Sequence, residues 1–69
     1  MRRIVCDAAT IGGKPRIEGT RLWVVYLAGK TREEVEFDYA LTLSAEEWTM
    51  ITDWLSSEEG RRQVRRARR

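Results

Sequence analysis

Histidine is absent from this 69-residue chain, and cysteine occurs once, at Cys6. A lone thiol cannot close an internal disulfide, and without imidazoles it cannot assemble a zinc site. Nucleophiles such as Ser44, Thr31 or Cys6 have no obvious base beside them. The acidic pairs Glu33/Glu34, Glu46/Glu47 and Glu58/Glu59 are adjacent in sequence, so each pair points its carboxylates in different directions. The expectation is a non-enzymatic protein with no catalytic residue, cofactor or metal. Long apolar runs are missing too. The longest, Leu22 to Ala28, falls far short of the roughly 20 residues that cross a bilayer. The apolar run after Arg2-Arg3 is shorter than a signal-peptide core. A cytoplasmic protein without membrane contact is expected, and an unpaired thiol suits that reducing compartment.

A chain this short buries little core and sits near the limit of independent stability. Disulfide and metal being excluded, a second chain is the expected staple, with a homodimer as the default.

What the chain does have is sorted charge. Residues 1–32 carry seven bases against Asp7 and Glu18, a net of +5. Residues 33–60 carry nine acids and no base, and the last nine residues carry six arginines, which together return the overall +2. Blocks of like charge mark interaction surfaces or tails more often than fold.

Local chemistry places the elements. Arg3-Ile4-Val5-Cys6 reads as a short strand. Gly12-Gly13 with Pro15 makes a tight reversal, and Ile17-Glu18-Gly19-Thr20 makes another, giving a small N-terminal β element. Leu22 to Ala28 fits a strand or a short buried helix equally. Thr31-Arg32-Glu33-Glu34 has capping-box spacing and would open a short helix through about Tyr39. Against it, Val35, Phe37, Tyr39, Leu41 and Leu43 alternate strictly with polar or small residues, and over 34–43 this local pattern favours a strand.

Ser44-Ala45-Glu46-Glu47 is a second capping box, opening the one well-formed helix expected. Trp48, Ile51, Thr52 and Leu55 follow helical spacing, Met50 and Trp54 widen the stripe, and Glu46, Thr49, Asp53 and Ser56 face solvent. Ser57-Glu58-Glu59-Gly60 and the bases after it have the order a helix dipole favours. Gly60 weakens such a helix, so the arginine end is expected to fray. The division expected is one domain over 1–60 and a basic tail over 61–69.

The contiguous stretch Gly12-Gly13-Lys14-Pro15-Arg16-Ile17-Glu18-Gly19-Thr20-Arg21-Leu22 resembles the signature of a family of VapB-like antitoxins. Arg3-Ile4-Val5-Cys6-Asp7 is similar to the family's opening strand. Leu27-Ala28-Gly29-Lys30-Thr31-Arg32-Glu33-Glu34-Val35 is similar to its turn into a capped helix, and Asp38-Tyr39 with Leu41-Thr42 to the lead into its last helix. The resemblance covers roughly residues 3–56. It implies an α+β fold, a short N-terminal β element followed by a small homeodomain-like, helix-turn-helix-related core. It further implies an antitoxin that neutralises a PIN-like ribonuclease toxin and binds operator DNA in transcription regulation. Only six residues separate Leu22 from Gly29, so the family's first helix should be shortened or replaced by strand. The helix from Ala45 carries no base, which turns expected DNA contacts to the chain ends.

The nucleic-acid candidates are therefore Arg2, Arg3, Lys14, Arg16, Arg61, Arg62, Arg65, Arg66, Arg68 and Arg69. The toxin-binding candidates are Glu46, Met50, Asp53 and Trp54. Arg21 is expected to anchor the N-terminal turn on Asp38 or Asp7, and Trp23, Trp48 and Trp54 to serve the core or a dimer seam. Two alternatives stand beside the antitoxin. One is a stand-alone nucleic-acid-binding regulator. The other is a small inhibitor, for example phage-encoded, that lays the acidic block into a basic nucleic-acid channel.

Overall fold

The computed structural model describes residues 1–9 and 11–67. It is an α+β fold: a two-stranded antiparallel sheet at the N-terminus followed by three helices. Strand β1 (Ile4–Val5) pairs with β2 (Arg16–Ile17) in the register Ile4 to Ile17 and Val5 to Arg16. Each strand is only two residues long, and turns close them. Gly12 and Gly13, with φ of 68° and 80°, reverse the chain in a conformation that a side chain would strain. Beyond β2, Thr20 folds the chain back: its hydroxyl donates to the Ile17 carbonyl at 2.7 Å, and the Ile17 N–H donates to the Leu22 carbonyl at 3.4 Å.

The ambiguous segment becomes a 3-10 turn, Val24–Leu27, that buries Val24, Val25 and Leu27. The six residues between Leu22 and Gly29 thus hold one short 3-10 turn. The N–H of Lys30 then donates to Leu27 at 3.2 Å, and the chain enters α1 (Arg32–Tyr39).

Residues 32–39 are helix, and the competing strand over 34–43 does not form. Thr31 caps α1: its hydroxyl accepts from the Glu34 N–H at 3.1 Å, and its own N–H donates to the Glu34 carboxylate at 2.8 Å. A helix satisfies its own backbone, whereas a strand here would need an edge to pair with. Ala40, at φ 54°, reverses the chain, so Leu41 and Leu43 reach the core by a separate route. The alternation is therefore two patterns laid end to end. Phe37, which a strand would have buried beside Val35, is 88% exposed on the outer side of α1.

Helix α2 (Ala45–Ser56) forms as its capping box requires, with Glu46, Thr49, Asp53 and Ser56 exposed. Ile51 is its buried centre, and Trp48, Met50, Trp54 and Leu55 pack half-buried around the core of Ile17, Val24, Leu27, Val35, Leu43 and Ile51. That core joins the β element, the 3-10 turn and the first two helices.

The last helix differs most from expectation. Helix α3 (Glu58–Ala67) runs through Gly60, so the boundary drawn at residue 60 falls inside an element and residues 61–67 are helical. Glycine is what the corner between α2 and α3 needs. Ser57 accepts from the Gly60 N–H at 3.1 Å, and Gly60 is buried against the end of α2. A Cβ there would collide with the backbone of Trp54, lying 2.9 Å from its carbonyl carbon and 3.0 Å from the Leu55 Cα. No helix among the described residues is long and apolar enough to cross a membrane.

Candidate binding surfaces

Much of the charge that is sorted in sequence is paired in space. Glu47 is the plainest case. Its carboxylate accepts from the Ser44 N–H at 2.9 Å, from the Arg2 N–H at 2.9 Å and from the Arg2 Nε at 3.1 Å. The Ser44 N–H is the strongest influence, ahead of the Arg2 backbone and then its guanidinium, and together they hold the carboxyl down at about 2. Asp38 takes Lys30 at 2.9 Å, which raises the lysine pKa, and Thr31 lowers that of Glu34. Glu36 accepts from the Leu43 N–H at 2.8 Å. Glu58 and Glu59 share Arg62, at 3.4 and 2.8 Å.

Several expected contact residues are accordingly structural. Arg2 is spent on Glu47 and on the Thr42 carbonyl. Arg16 donates to the Thr20 carbonyl at 3.0 Å and lies 3.9 Å from Asp7, with its side chain 14% exposed, so it braces the turn and cannot lie along a phosphate backbone. Arg62 is held by its two carboxylates. The anchoring expected of Arg21 is divided between other bases: Arg16 stands beside Asp7 and Lys30 holds Asp38, while Arg21 is exposed. Arg68 and Arg69 lie outside the described residues. Arg3, Lys14, Arg61, Arg65 and Arg66 are exposed.

Helix α3 divides its free cations between two flanks. On one side Arg66 joins Lys14 and Trp23 around a cleft of about 260 Å³ floored by the Gly12-Gly13 turn. The Lys14 ammonium sits 4.6 Å from the centre of the Trp23 ring, and the indole N–H donates to Gln63 at 3.4 Å. Tyr26 meets the same ring edge-on at 5.4 Å, so Trp23 is held by neighbours on several sides.

On the other flank Arg61 and Arg65 border a groove of about 450 Å³ between α2, α3 and the 27–30 turn. Leu27, Trp48, Leu55 and Val64 line it, with Lys30 as its third cation. Sequence reasoning did not find this groove. Its cations come from separate blocks, and only the α2–α3 corner brings them together.

The four candidates on α2 share one side of the helix. Glu46 and Asp53 are exposed, Met50 and Trp54 half-buried, at spacings that put all four along the same side of the helix. No group of three or more acidic or cysteine side chains able to hold a metal ion occurs among the described residues.

No family model matches this chain, and no curated protein or solved structure is significantly similar to it.

Proposed function

We propose that this chain is a cytoplasmic docking protein of antitoxin type, which neutralises a PIN-like ribonuclease toxin and contacts operator DNA from a second surface. The sequence support is the Gly12-Gly13-Lys14-Pro15 to Gly19-Thr20-Arg21 signature. The observation that carries the reading is the opposite sign of the exposed faces on successive helices. On α2, Glu46 and Asp53 flank the apolar Met50 and Trp54, a surface suited to the basic groove of a protein that handles RNA. Beside α3, Lys14 and Arg66 border a cleft and offer a polyanion two phosphate contacts, with Lys14 lying over the Trp23 ring. A protein with one partner needs one such surface; a protein that joins a protein to nucleic acid needs two.

The purified chain titrated into a PIN-like ribonuclease as candidate partner should suppress RNA cleavage at a stoichiometric ratio. Glu46→Lys with Asp53→Lys, both at exposed positions, should raise the amount required by about tenfold or more. Cleavage unaffected by a molar excess of wild-type chain would overturn the antitoxin reading. Fluorescence anisotropy on duplex DNA tests the other surface. Lys14→Glu with Arg66→Glu should weaken binding and flatten its salt dependence, while the α2 substitutions should not. DNA binding without nuclease inhibition favours the stand-alone regulator, which the Lys14–Trp23–Arg66 cleft would serve unaided.

A further inference from the structure

The α2–α3 groove and the outer side of α1 are shaped for each other. The groove is a recess with apolar walls and three cations: Lys30, Arg61 and Arg65. Arg61 and Arg65 have no ion pair among the described residues. Helix α1 presents the inverse. The chain's only phenylalanine, Phe37, stands 88% exposed on its outer side. Helical spacing puts two carboxylates, Glu33 and Glu34, one turn before it on the same side. An aromatic this exposed, with acids beside it, is not part of the core, and leaving it in water is unfavourable by the area it leaves wet. The two surfaces are also neighbours, since the 2.9 Å pair between Lys30 and Asp38 ties the rim of the groove to the flank of α1.

We infer that a second copy of this chain occupies the groove, with Phe37 of each protomer seated between Trp48, Leu55 and Val64 of the other. Glu33 then meets Arg61 and Arg65 across the interface. A recess and a complementary projection side by side on one molecule are what a two-fold, self-complementary interface requires, and pairing them twice closes the assembly as a dimer. Each contact combines a desolvated aromatic anchor with rim charges that fix its register. This interface uses neither the outer face of α2 nor the Lys14–Trp23–Arg66 cleft, so it stands or falls separately from the antitoxin reading.

Sedimentation velocity on the full chain, from low micromolar to millimolar concentration, should show a monomer–dimer equilibrium that weakens with added salt. Phe37→Asp should shift the protein to monomer while leaving its circular dichroism unchanged, because the ring makes almost no contact within its own chain. Two charge variants complete the test. Glu33→Arg alone, and Arg61→Glu with Arg65→Glu alone, each place like charges across the interface and should weaken self-association by about tenfold or more. Mixed in equal amounts they restore opposite charges at both contacts and should form a heterodimer. A wild-type chain monomeric throughout the range overturns the inference. So does a dimer indifferent to Phe37→Asp, or a mixture of folded charge variants that does not reassociate.

Discussion

Replacing Gly60 by alanine sets two physical effects against each other. By helix propensity alone the change helps, since alanine is favoured over glycine in a helix interior by about 1 kcal/mol. Packing says the reverse. The new methyl would lie 2.9 Å from the carbonyl carbon of Trp54 and 3.0 Å from the Cα of Leu55. Both are backbone atoms, so no side-chain rotation relieves the collision. The corner at Ser57 must open, and with it the contact of α3 on the 3-10 turn. Overpacking of this kind costs about 1–3 kcal/mol and occasionally more. Contacts this short against backbone that cannot rotate away belong to the upper part of that range, about 2–3 kcal/mol, so the net loss after the propensity gain is about 1–2 kcal/mol. A 69-residue protein has only about 3–10 kcal/mol of stability to lose. At about 4–8 °C per kcal/mol for a domain of this size, the melting temperature should fall by about 5–15 °C. Far-ultraviolet circular dichroism on heating measures it, with urea titration as the isothermal check. A melting temperature equal to or above that of the parent would refute the reasoning, showing that the α2–α3 corner is not closed by backbone contact.

Glu47 has its carboxyl pKa depressed to about 2 in the folded protein, against about 4.3 in an unfolded chain. Its contribution is therefore fully present above the unfolded value and should be lost as pH falls from about 4 toward 2. In acid titrations followed by circular dichroism, Glu47→Gln should be less stable than the parent at neutral pH and should lose less of its remaining stability over that interval. Ser44→Ala removes the hydroxyl that accepts from the Glu47 N–H at 3.0 Å and should cost about 1 kcal/mol in urea unfolding. Phe37→Ser, by contrast, should change the stability of the dilute protein by less than about 0.5 kcal/mol.

What could be read in the sequence was whatever depended on neighbours. The reversals at Gly12-Gly13 and Gly19-Thr20, both capping boxes, and the solvent side of α2 follow from residues within a few positions of one another. The failures share a cause. Strict alternation over residues 34–43 looked like a strand because nothing local reveals that Ala40 turns left-handed and splits the run. Gly60 looked like a weak point because its worth lies in the carbonyl of Trp54 above it. Arg2 and Arg16 looked free because the groups that hold them, Glu47 and Thr42 for one and Thr20 and Asp7 for the other, are fixed by the tertiary fold. The candidate surfaces divide in the same way. The α2 face was legible from helical spacing, whereas the groove draws Lys30 from mid-chain and Arg61 and Arg65 from a helix about 30 residues later. Sequence blocks of charge thus overstated the free charge of the folded molecule.

The bond network around Glu47 has a consequence for how the molecule opens. One carboxylate fastens the second residue of the chain to the first turn of α2, 45 positions away. Strands of two residues would ordinarily exchange their amide protons by local fraying. Here β1 cannot peel off without freeing a carboxylate that also anchors the start of α2. Hydrogen exchange should therefore report the sheet and the α2 N-terminus as one cooperative unit, with the hairpin far more protected than its length suggests.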